Sequence, residues 1–244
     1  MSPAARRTLA GALAPLAVLA VLVSGVSAAV VYRGDDIPEA DGGTTPTATP
    51  PGEDVLAPDG FRRYEGSGGT SALIPSTGGW ETTQTYDVFV VKGDEGRVRL
   101  SSPAISDLAW CDDVPNATLA VLGFTTPPDL NTSAQNEAAR VLDRWVTALR
   151  TSDGDDLAAT EPTSSEVELD SGATAWTSAS VIEASAEDGC DLQETEVRVV
   201  SAESEDRGAV TAVLLRALDA EGDELPEGVD AETADAILRS FQPG

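Results

Sequence analysis

Histidine is absent from all 244 residues. That absence removes Ser-His-Asp and Cys-His catalysis and the usual zinc sites. Lys92 is the only lysine. It stands outside any G-x-x-x-x-G-K, and no S-x-x-K occurs, so neither a phosphate-cradling loop nor a serine–lysine nucleophile is on offer. Positive charge is scarce altogether, 15 basic residues against 42 acidic for a net of −27. Such a surface repels nucleic acid and anionic head groups, and the charge reads as solubility in a salty or Ca²⁺-containing exterior. Cysteine is limited to Cys111 and Cys190. Neither belongs to a C-x-x-C, so a redox pair is disfavoured. A structural disulfide closing an 80-residue loop is expected.

Charge is also missing from one long stretch, Leu9–Tyr32, which follows Arg6 and Arg7. As a helix it would reach about 36 Å, enough to cross a hydrocarbon core of about 30 Å. The basic pair puts the N-terminus in the cytoplasm and the bulk of the chain outside. The organisation expected is a cytoplasmic N-terminus (1–8), a transmembrane anchor (9–32), a stalk (33–58) and an extracytoplasmic domain (59–244). Val26, Ser27 and Ala28 also satisfy the small-residue rule of a signal peptide, and cleavage after Ala28 would make the protein secreted. No cysteine follows closely enough for lipid attachment. The stalk, rich in Pro, Gly, Thr and acids, has too few aliphatic residues to bury and is expected to be disordered.

From Phe61 the pattern becomes that of a packed domain. Ser71–Trp80 reads as a strand, a Pro/Gly turn and an aromatic entering a new strand. Tyr86–Val91 and Arg97–Ser101 flank KGDEG as a hairpin, with Pro103 ending the second strand. Leu119–Phe124 is apolar enough to be a buried strand. Thr132 and Gln135 form a capping box for a helix whose stripe is Ala138, Val141, Leu142, Trp145 and Leu149. After an acidic loop to about Leu169 come strands at Ala175–Glu183, Thr195–Ser201 and Ala209–Ala217. A helix capped by Asp230 follows, carrying Ala234, Ile237, Leu238 and Phe241. The fold class expected is α+β, an antiparallel β-sheet with helices packed on one face. No repeat of 20–50 residues occurs, which excludes solenoids and propellers.

Several motifs reduce to structure. Leu169–Gly172 has the form of an aspartic-protease loop, but that chemistry needs two such carboxylates and only one copy is present, so a turn is expected. The acidic runs Ser152–Asp156 and Asp219–Glu224 match no Ca²⁺-loop ligand order and read as solvated loops. A carboxylate-only hydrolase stays open, since spacing along the chain does not fix spacing in space. Trp145 and Trp176 are expected in the core, and Trp110 beside Cys111 is the better candidate for a pocket. Catalytic, cofactor-binding and metal residues are therefore assigned to none, and the protein is not expected to be an enzyme.

The order of elements, from the IPSTGGW turn through the Trp-containing helix and three long strands to the closing A-x-x-I-L-x-S-F, resembles the exported PsbP-like (LpqN-type) domain proteins of actinobacteria. The resemblance spans about Phe61 to Gly244 and implies a sheet-plus-helices domain that binds a partner protein or a lipid-like ligand. The arginine- and alanine-rich style fits the same source. The lipidated cysteine of the lipoprotein members is missing, so their mode of anchoring does not transfer. The function expected is a membrane-anchored, non-catalytic binding or assembly domain of the cell envelope. The alternative is a carrier or sensor of a small apolar or lipid-like ligand.

Overall fold

The computed structural model describes the backbone of Ala29–Tyr32 and residues 57–82, 88–106, 118–125, 132–152, 156–183, 194–218 and 228–244. A two-stranded hairpin, β1 (Phe61–Glu65) and β2 (Ser71–Pro75), comes first. The main sheet then takes β3 (Glu81–Thr82), β4 (Val88–Gly93), β5 (Gly96–Ser106) and β6 (Ala120–Thr125). Helix α1 (Ala134–Arg150) precedes β7 (Thr163–Glu168), β8 (Thr174–Ile182), β9 (Glu194–Ser204), β10 (Gly208–Leu218) and helix α2 (Ala231–Arg239). These eight strands form one antiparallel sheet in the order β4-β5-β6-β10-β9-β8-β7, with β3 paired beside β5. Outside β4 the backbone of Ala29–Tyr32 runs antiparallel to Val88–Val91. The expected membrane helix ended at Tyr32, and these last four residues are extended instead; Leu9–Ala28 and nearly all of the stalk lie outside the described residues. Among the described residues no helix is long and apolar enough to cross a membrane.

Strand β10 decides the architecture. Its run AVTAVLL is buried on both sides, so the sheet needs a cover on each face. Val213 and Leu215 face one core with Val141, Leu142 and Trp145 of α1. Ala212 and Leu214 face another with Ile237 and Leu238 of α2, Phe241, and Tyr64 and Ile74 of the hairpin. The helices therefore lie on opposite faces, not on one, which corrects the expected packing. A sheet alternating apolar and polar residues would need only one cover; this one is apolar on both.

Three local expectations also change. Pro103 does not end its strand: β5 runs on to Ser106 through a bulge between Ser101 and Ala104, where Ser102 takes φ 46. A bulge leaves a residue outside the ladder and so tolerates proline. There β5 also changes outer partner, from β4 up to Ser101 to β3 at Ala104–Ile105. The α1 cap is Ser133, whose hydroxyl accepts from Asn136 N at 3.4 Å, one residue on from the expected Thr132. Part of the expected acidic loop is the edge strand β7, held by its ladder to β8.

Candidate functional site

Two arrangements bring charged side chains together. On the α2 face, Glu196 and Arg198, two apart on β9, share a side of the strand, and Arg216 stands opposite Glu196 on β10. Glu196 and Arg216 are buried, and Arg216 Nε donates to Glu196 Oε2. Arg198 Nε lies 2.9 Å from Glu196 Oε1 without hydrogen-bond alignment, and Arg198 also pairs with Asp235 of α2. Burial works against the charge on Arg198, but Glu196 and Asp235 outweigh it and raise its pKa above the ordinary arginine value. Arg216 Nη1 donates to Val229 O at 2.8 Å. The network therefore fixes α2 and the residues leading into it. Each Glu196 oxygen faces an arginine, so proton transfer through Glu196 would first break an ion pair.

On α1, Glu137 is fully buried and takes a fork of two hydrogen bonds from Arg140, at 2.9 Å to Oε2 and 2.6 Å to Oε1. That hydrogen-bonded partner raises the Arg140 pKa. This pair, too, is closed on itself.

A crevice of about 370 Å³, open solvent included, lies where the hairpin meets the residues after α2. It is lined by Pro58, Arg63, Leu73, Asp170, Ser240 and Gln242, among others. Arg63 Nη1 donates to Ser71 Oγ at 2.8 Å and to Gln242 Oε1 at 2.9 Å. Ser240 Oγ accepts from Leu73 N at 2.7 Å. Arg63 Nη1, Ser71, Ser240 and Gln242 thus hold the hairpin to the C-terminal residues, while Arg63 Nε is buried without a hydrogen-bond partner among the described residues.

The sequence candidates are dispersed. Leu169–Gly172 is a turn, with Gly172 N donating to Leu169 O at 2.8 Å and Gly172 at φ 81. Trp80 and Trp145 are buried and Trp176 is half-buried. Trp110, Cys111 and Cys190 lie outside the described residues, as do most of both acidic runs. Among the described residues no group of three or more Cys, Asp or Glu side chains could hold a metal ion. Tyr64, stacked on Phe124 at 5.5 Å, has a buried hydroxyl with no partner among the described residues, and burial pushes its pKa well above the ordinary phenol value. Sequence reasoning missed it, because only the hairpin's packing on β6 buries that position.

Residues 70–244 match the family model described as a domain of unknown function, DUF8017. The chain belongs to that family. No curated protein matches the sequence. The match starts in the hairpin turn, so β2 and every later element fall inside the DUF8017 region, while Pro58 and Arg63 of the crevice precede it.

Proposed function

We propose that this DUF8017 chain is a membrane-anchored, extracytoplasmic, non-catalytic domain that binds a partner protein in the cell envelope. The observation that carries this reading is that the chain itself covers both faces of the sheet. Trp80 and Trp145, which could have lined a ligand pocket, are spent on the two cores. The described crevice is lined by Arg63, Asp170, Ser240 and Gln242 as much as by Ala57, Pro58, Ala72 and Leu73, a poor match for a lipid tail. The buried carboxylates are held by arginines, which supports a non-catalytic role. The PsbP-like (LpqN-type) likeness belongs to the same reading, since the order of strands, helix, strands and helix is the one it implies. Leu9–Ala28, ahead of the extended Ala29–Tyr32, is the proposed anchor, about 30 Å long as a helix, with the charged surface outside.

Native mass spectrometry of the full chain, released from nonionic detergent, tests this. A bare polypeptide mass together with crosslinks from the domain to an envelope protein is the expected result. A bound mass that leaves on denaturation would overturn it in favour of the carrier, and would weigh the ligand directly.

A further inference from the structure

We propose that the open edge of the sheet, β7 with Trp176 of β8 beside it, docks an extended lysine- or arginine-rich segment of the partner as an added strand. The inference rests on the binding-module reading and names the chemistry of the partner. Strand β7 ends the sheet order, and among the described residues nothing pairs along its outer side. An edge strand offers alternate N–H and C=O groups to an incoming chain. Five of its six residues are exposed and only Val167 is half-buried.

The side chains select the charge of the guest. Glu166 is directly opposite the half-buried Trp176, and Glu168 follows two residues on, so all three share one face. Trp176 pairs on its other side with Ser201, and Glu203, two residues beyond Ser201, continues the same face. Glu166, Glu168 and Glu203 are exposed, and none forms an ion pair within the described residues. Trp176 packs against the α1-side core but stays half-buried. Its exposed part, beside carboxylates without an ion pair among the described residues, suits the ammonium or guanidinium of a basic side chain, whose stem can lie along the ring.

The same charges disfavour a second copy of this chain. Full antiparallel overlap of two β7 strands would set Glu166 opposite Ser165 and Glu168 opposite Thr163, bringing no cation to either glutamate, between copies that each carry a net charge of −27.

The experiment uses the full chain in nonionic detergent and an eight-residue peptide alternating Lys or Arg with Val. Its controls are the Glu-for-Lys/Arg peptide and a peptide of unchanged charge with proline at alternate positions. Amide exchange at residues 163–168 is followed by mass spectrometry. The basic peptide is expected to slow exchange there, and the other two are not. Glu166→Lys with Glu168→Lys should weaken binding about ten-fold, and Trp176→Ala about three-fold. Equal binding of the proline peptide would show charge attraction without strand addition and overturn the proposal. So would unchanged exchange at β7, or protection that rises with protein concentration in the absence of peptide. If β7 fails while envelope crosslinks persist elsewhere on the domain, this edge falls and the binding reading stands. A bound small molecule would instead remove the reading itself.

Discussion

Arg216 and Glu196 stand directly opposite each other on neighbouring strands, both buried, and the arginine donates to the carboxylate. A buried charge that loses its partner costs far more than an exposed one, because water cannot replace the lost interaction. Arg216→Ala should therefore cost about 3 kcal/mol in urea unfolding, at the lower end of such changes because Arg198 still faces Glu196. The control is Arg150→Ala, which breaks the pair with the largely exposed Asp156 and a part-buried hydrogen bond to Leu157 O and should cost about 1 kcal/mol. Equal losses would show that the buried pair is not what holds α2 in place.

Gly93 closes the β4 ladder against α1. A Cβ there would meet Ala148 Cα at 2.7 Å and Ala148 O at 2.8 Å, and helix backbone cannot step aside as a side-chain tip does. Gly93→Ala should destabilise by about 1–3 kcal/mol through overpacking. Gly172 faces open space but sits at φ 81, so Gly172→Ala should cost about 1 kcal/mol from backbone strain alone. Differential scanning calorimetry of the two variants ranks them; a milder effect at Gly93 would mean that α1 can shift.

The helix caps separate by pH. Asp230 accepts from Thr233 N at 2.6 Å, and this hydrogen bond holds its carboxyl below the ordinary aspartate pKa of 3.8. A depressed folded-state pKa gives stability that is present above the ordinary value and lost as pH falls through the folded one. Asp230→Ala should cost about 1 kcal/mol at pH 7, and its deficit against the parent should shrink on acidification below the ordinary pKa. The Ser133 cap carries no charge, so the deficit of Ser133→Ala should not change with pH. Urea curves at neutral and acid pH decide the matter, and parallel behaviour of the two variants would refute the charge argument.

What was legible in the sequence was what short-range pattern controls. The stripe of α1, the β4–β5 hairpin around Asp94-Glu95 and the Asp230 cap all fall where periodicity and turn chemistry put them. What was not legible depends on pairing partners. The run TSSEVE of β7 has no apolar alternation and becomes a strand only because β8 is beside it. FRRYE of β1 buries Tyr64 alone, too little to mark a strand. The continuous apolar run of β10 did hold the information that both faces are covered, since an alternating strand would have sufficed for one cover. The edge beside Trp176 could not be read at all, because Glu166 and Trp176 meet only through the register of the sheet.

That register also bears on the cysteines. Ser106 pairs with Ala120, Ala120 with Arg216, Arg216 with Glu196, and Glu196 with Val181. The segments carrying Cys111 and Cys190 therefore leave the same end of the sheet. Strands β5 and β9 are three spacings apart, about 14 Å. The five residues from Ser106 to Cys111 and the four from Cys190 to Glu194 can together span about 30 Å, so a bridge is within reach. The expected disulfide would show as a mass gain of about 2 Da on reduction. Replacing both cysteines by serine should lower stability by about 4.5 kcal/mol, a chain-entropy figure for an 80-residue loop. The loss should match that of the reduced parent, because both variants release the same loop. Two alkylatable thiols in unreduced protein from an exported preparation would rule the bridge out, and the loops at this end of the sheet would then be held by strand pairing alone.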